Sequence, residues 1–132
     1  MRRSAEEIVA AGRALIGVRF RPQGRSAEIG LDCIGLVAAA LGATAVPRDY
    51  ALRGGSAVRL GEELAKAGLG QAESARAGDV LVLKAGAAQL HLGIFTGGGL
   101  IHGDAGLRRV VERPGEIPWP IMSIWRRREW RP

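Results

Sequence analysis

Cysteine is almost absent from this chain: among 132 residues there is one, Cys33. A disulfide within the chain is therefore excluded, and so is any zinc site built from several thiolates. Histidine is nearly as scarce, with His91 and His102 the only two. Aromatic residues make up 5%, too few to offer the stacking platforms on which single-stranded nucleic acid is usually held. No stretch approaches the ~20 apolar residues that a membrane-spanning helix needs. The opening Met1-Arg2-Arg3-Ser4-Ala5-Glu6-Glu7 turns acidic at once and leads into no apolar run of signal-peptide length. The expectation is synthesis in the cytoplasm without a signal peptide.

What remains is the composition of one soluble domain spanning 1–132. Hydrophobic residues make up 47%, enough for a single packed core, and 20 glycines favour a turn-rich mixed fold over a helical bundle. Acidic residues number 13 against 19 basic ones, a net charge of +6. Such an excess draws a protein to anionic surfaces, whether nucleic acid, acidic lipid or cell wall, without choosing among them. The densest run, Arg126-Arg127-Arg128 with Arg131 beyond, lies between Trp125 and Trp130 and reads as a solvated terminal strand. No nucleic-acid partner is expected from it.

Ser4 with Glu7 three places on fits a capping box. Ile8, Val9, Ala11 and Leu15 then repeat at helical spacing and end near Gly17. From Val18 to Gly30 the polar composition, with Pro22, Gly24 and Gly30, reads as a loop. The Ala/Leu-rich run from Leu31 to Gly42 predicts a helix that begins at Asp32 or Cys33. Residues 43–57 read as irregular, and a short amphipathic helix is predicted over 58–67. After Ala77-Gly78-Asp79 the period changes to that of strands. Val80 to Leu83, Leu90 to Phe95, the strand opened by Leu100-Ile101-His102, Val110 to Glu112 and Ile121 to Trp125 are all predicted as strands. Helices first and strands after is the order of an α+β domain.

A lone cysteine is ordinarily a small buried hydrophobe. Cys33 is predicted instead at a helix start, where the macrodipole and unpaired N–H groups favour a thiolate. A cysteine nucleophile also needs a base, and both histidines fall on one predicted hairpin. With a two-residue turn at Gly97-Gly98, Phe95 faces Leu100, Ile94 faces Ile101 and Gly93 faces His102. His91, two residues before Gly93, then shares a sheet face with His102. Diagonal neighbours of this kind lie ~7–8 Å apart, within reach of each other's rings. A four-residue turn preserves this arrangement, and a three-residue turn destroys it. One imidazole can thus face the thiol while the other orients it, with Asp104 as an alternative orienter. Binding of a metal by two imidazoles and a thiolate would need a dedicated closed geometry, so neither metal nor cofactor is expected.

The ordered set Gly17-Val18-Arg19-Phe20-Arg21, Asp32-Cys33-Ile34-Gly35-Leu36-Val37, Gly78-Asp79-Val80-Leu81, His91-Leu92-Gly93-Ile94-Phe95 and Ile101-His102 resembles the NlpC-type cell-wall peptidases. These are papain-like enzymes in which a nucleophile-bearing helix packs on a small antiparallel sheet. The resemblance implies a papain-like α+β fold with Cys33 as nucleophile, His91 as general base and His102 as the third polar residue. It further implies that Asp32 holds the active-site turn and meets a substrate amine, and that Phe20 lies in the substrate site. The implied substrates are peptidoglycan stem peptides, cut between D-glutamate and diaminopimelate or lysine. Two positions depart from the family pattern: Phe20 stands where tyrosine is frequent, and Ile34 where serine is frequent. Each removes a hydroxyl available to substrate. Gly24-Arg25-Ser26 and the Trp/Arg-rich end resemble compact members carried by phage tails, which implies tail-tip partners and delivery to the periplasm or wall on a phage-like particle. Alternatives left open by the sequence are an amidase, deamidase or acyltransferase on the same fold, a non-catalytic tail or wall-binding module, and a nucleic-acid protein drawn by charge. Segments near Asp49-Tyr50 and Gly54-Gly55 are candidate linings of the cleft.

Overall fold

The computed structural model describes residues 3–22, 24–26, 30–42 and 56–128. The chain begins with helix α1 (Ala5–Ala14), whose capping box forms as read from the sequence. Ser4 Oγ accepts from the Glu7 N–H at 3.1 Å, and Glu7 Oε1 accepts from the Ser4 N–H at 2.9 Å. A short hairpin of β1 (Arg25–Ser26) and β2 (Gly30–Leu31) leads into α2 (Cys33–Leu41), which Gly42 ends in the left-handed conformation at φ 76°. Helix α3 (Ala57–Lys66) follows. Then come β3 (Leu69–Ala72), β4 (Val80–Gly86), β5 (Gln89–Phe95), β6 (Gly99–Asp104), β7 (Arg109–Pro114) and β8 (Ile121–Arg127).

The last six strands form one antiparallel sheet in the order β3-β8-β4-β5-β6-β7. Strand alternation divides its side chains between two apolar clusters. Val80, Val82, Leu92, Ile94, Ile101 and Val110 face Ile8, Val9, Leu36 and Val37 of α1 and α2 in the main core. Leu81, Leu83, Leu100 and Ile124 face the other way, where Phe95, Ile117 and Trp119 partly cover them. Each fully buried Leu or Ile contributes roughly 1.5–3 kcal/mol relative to exposure, so the helix-facing cluster is what seats α2 on the sheet. The α+β class and the helix-on-sheet arrangement expected from the sequence are both present.

Two elements were not foreseen. Leu69-Gly70-Gln71-Ala72 carries no β-branched residue, and it becomes a strand because β8 pairs with it from Leu69↔Arg127 to Ala72↔Ile124. The Val18–Gly30 stretch, read as a loop, contributes β1, the start of β2 and two isolated bridges, Arg19↔Arg109 and Phe20↔Leu31. These contacts are made with distant residues and leave no local periodicity. The segments around Asp49-Tyr50 and Gly54-Gly55 lie outside the described residues, as do Trp130, Arg131 and the side chains of Arg25 and Ser26.

Asp79 is 1% exposed and sits at the start of β4. Its carboxylate accepts Nε–H and Nη2–H of Arg126 at 2.9 and 2.8 Å and the Arg76 backbone N–H at 2.8 Å. The Gly78-Asp79 pair is therefore a clasp holding β4 to β8. Gly78 also has φ 94°, and a Cβ there would lie 2.7 Å from Ala5 Cβ on α1.

Candidate active site

Local chemistry sets where α2 begins. Asp32 is its N-cap, with Oδ1 accepting the Gly35 N–H at 2.8 Å. The Asp32 N–H in turn donates to the Gly24 carbonyl at 3.2 Å. A Cβ on Gly35 would collide with that same Gly24 oxygen, so the hairpin backbone lies directly on the first helical turn. Cys33 is the first residue of the helix and is 2% exposed. Its backbone N lies 3.8 Å from where a Cβ on Gly103 would stand. The cysteine thus meets the sheet at the residue that follows His102.

The hairpin of β5 and β6 has the register expected from the sequence, with Ile94↔Ile101 and Phe95↔Leu100. Past the last rung of this ladder stand the two histidines. Nε2 of His91 and Nδ1 of His102 are 2.9 Å apart, with the rings edge-to-face and centroids 5.1 Å apart. The shared-face argument is met by direct contact. One N–H lies between the rings, so one imidazole donates and the other accepts.

Electrostatics keep the pair neutral. Burial lowers the His91 pKa to about 4, with His102 adding to the effect and the Asp104 charge opposing it. Burial is also the main cause that lowers His102; Arg113 adds to it, while Asp104 and a hydrogen bond at the Gly103 backbone oppose it. Asp104 acts here through its charge alone. Its Oδ1 accepts the Leu107 N–H at 2.9 Å in the turn between β6 and β7, and among the described residues it makes no hydrogen bond to either ring. The group in contact with His91 is His102, at 2.9 Å, and not Asp104.

Phe20 takes its place by backbone pairing. Its N–H donates to the Arg108 carbonyl at 2.9 Å and a bridge joins it to Leu31. The ring edge lies 3.1 Å from the Cβ position of Gly103, beside the start of α2. A side chain on Gly103 would therefore press on the ring, next to the Cys33 backbone.

Trp119 was not singled out in the sequence. Its ring stands edge-on to both imidazoles, with centroids 5.2 Å from His91 and 5.3 Å from His102. The one available signal was its position between Pro118 and Pro120, each of which fixes a backbone angle and so limits where the indole can go.

In overall shape the chain aligns with solved structures over most of its length. The P60 domain of the M. avium subspecies paratuberculosis antigen MAP1204 aligns over 93% of each chain with a TM-score of 0.63 and 19% identity. The chain has the NlpC/P60 fold. Two solved structures from Mycobacterium tuberculosis also align. RipB, a peptidoglycan hydrolase, aligns over 96% of this chain and 65% of its own length with a TM-score of 0.61 and 18% identity. RipD is a non-catalytic NlpC/P60 domain protein adapted to peptidoglycan binding; it aligns over 93% of this chain and 95% of its own, with a TM-score of 0.58 and 18% identity. No family sequence model matches the chain, and no curated protein matches it by sequence. Among the described residues no helix is long and apolar enough to cross a membrane.

Proposed function

We propose that this chain is a cysteine peptidase that hydrolyses peptidoglycan stem peptides at the bond between D-glutamate and diaminopimelate or lysine. The observation that carries the reading is the 2.9 Å His91–His102 contact between β5 and β6, the second of which meets the Cys33 backbone at Gly103. The NlpC/P60 fold and the likeness to a peptidoglycan hydrolase support it.

Nε2 of His91 is engaged by His102, so Nδ1 is the nitrogen for the thiol. The bond then has His91 donating from Nε2–H, and His102 accepting at Nδ1 with its own proton on Nε2. In that tautomer His91 Nδ1 carries a lone pair and takes the Cys33 proton. The thiolate so formed offsets the burial that otherwise holds His91 neutral. It attacks the scissile carbonyl, and N–H groups at the start of α2, that of Cys33 included, stabilise the oxyanion. His91 returns its proton to the leaving amine and a thioester remains. Water then gives a proton to His91 and adds as hydroxide to the thioester carbonyl; the thiolate departs and recovers the proton from His91, and the carboxylic acid released gives its own proton to solvent. Asp32 holds the helix entry and meets the substrate amine, and Phe20 forms one wall.

The test is mass analysis of muropeptides released from sacculi. Wild type should yield shortened stem peptides and Cys33→Ala none. His91→Ala should lose about 10²–10⁴ in turnover, and His102→Ala should lose less. Equal product profiles from wild type and Cys33→Ala would reject the assignment. Intact sacculi that retain the protein would move the chain to the reading suggested by RipD, a wall-binding module. Carriage on a phage-like particle rests on the sequence resemblance, and co-purification with tail-tip proteins tests it.

A further inference from the structure

Residues 17–20 run alongside β7 as an extra strand. Gly17 N–H donates to the Val110 carbonyl, Val110 N–H to the Val18 carbonyl, both at 2.8 Å, and Phe20 N–H to the Arg108 carbonyl at 2.9 Å. This pairing puts Arg19 directly across from Arg109. Like charges in register on adjacent strands repel and destabilise the pairing. Arg108, next to them, is held at φ 59°, and no other described non-glycine residue has a positive φ. Strain of that kind is costly and persists where the surroundings require it.

These three arginines, with Gly17, Phe20 and Leu107, line a hollow of about 630 Å³. All three side chains are exposed. Two other arginines are matched, Arg13 by Glu112 at 2.9 and 3.2 Å and Arg126 by Asp79. Among the described residues no carboxylate pairs with Arg19, Arg108 or Arg109; Arg109 Nε reaches only the Leu107 carbonyl, at 3.4 Å. Asp104, opposite Arg109 on β6, spends Oδ1 on the Leu107 N–H. The hollow therefore keeps an excess of positive charge. Phe20 lines this hollow and also meets the Gly103 position beside the Cys33 backbone.

We infer that this hollow is a substrate subsite for a free carboxylate of the peptide, gripped by Arg19 and Arg109 across the strand pair, with Phe20 packing on the aliphatic part of the same residue. Planar guanidiniums suit a carboxylate because they donate two parallel N–H bonds. An anion placed between Arg19 and Arg109 also relieves their mutual repulsion. The inference rests on the reading of stem peptides as substrate, and it names a charge preference on the Phe20 side of the site.

The experiment measures binding to Cys33→Ala protein by calorimetry at about 0.15 M salt, where exposed charges are already screened. The probes are a stem tripeptide containing γ-D-glutamyl-diaminopimelate with free carboxylates and its fully amidated counterpart. The acid should bind about tenfold more tightly than the amide. Adding Arg19→Gln and Arg109→Gln should erase that preference while leaving the amide affinity unchanged and the thermal melt no lower, since the substitutions also remove a like-charge pair. Arg76→Gln with Arg128→Gln removes the same charge elsewhere and should keep the preference. Equal binding of acid and amide, no binding of either, or an equal loss in the Arg76/Arg128 control would overturn the inference. Failure of wild type to cleave the peptide bears on the hydrolase reading alone, because affinity is read on uncut ligand.

Discussion

Neutral, touching imidazoles are useful to a thiol only in one arrangement of protons. If His91 serves as base through Nδ1, nitrogen chemical shifts should show both rings protonated at Nε2 near pH 7; a proton on His91 Nδ1 would contradict the proposed transfer. Folding stability should follow the same burial. The folded pKa of His91, about 4, lies below the unfolded value near 6.5, so the unfolded chain takes up the proton first as pH falls. The stabilising contribution is complete above about pH 6.5 and is lost on going down toward pH 4, about 3 kcal/mol for this ring. Urea unfolding at several pH values should show that decline, and His91→Gln should flatten it. Trp119 keeps water from both rings. Trp119→Ala should move both imidazole pKa values up toward 6.5 in an NMR titration, and unchanged titration curves would mean that the indole shields nothing.

At the level of elements, the placement of Cys33 depends on how α2 is started. Asp32→Ala removes the cap and should cost about 1 kcal/mol of stability, with Asp32→Asn recovering most of it in a chemical denaturation series. Gly35→Ala drives a methyl group into the Gly24 carbonyl, so alkylation of Cys33 should change rate although no reacting atom has been altered. Much of this was readable beforehand: Ser4 and Glu7 as a capping box, the Ala/Leu body with Gly42 behind it, and Gly97-Gly98 fixing which residues face each other across the hairpin. Those features act within a few residues of the chain, where side-chain spacing is informative. Strand β3, the Arg19↔Arg109 bridge and the position of Trp119 were not readable, because each is created by a partner outside any local window of the sequence. The Gly78-Asp79 pair carried part of the resemblance to an enzyme family, yet its work here is structural. Asp79→Ala leaves the partly covered Arg126 without its carboxylate and should cost about 3 kcal/mol, read as a fall in the denaturation midpoint.

Over the whole molecule the charge of +6 should govern encounter with the wall more than chemistry on it. Association with isolated sacculi is expected to weaken steeply as salt rises from about 0.05 to 0.3 M, while turnover of a short soluble peptide at saturation changes little. Strand order has a consequence for biogenesis. Among the described residues β3 pairs only with β8, and β8 is made after the other described strands although it sits inside the sheet. Until residues 121–127 are free to slide between β3 and β4, the layer beneath α2 is open along one side and the Asp79–Arg126 clasp cannot close. A nascent chain therefore cannot present a finished cleft, and any activity that needs one stays silent until residues 121–127 have been made.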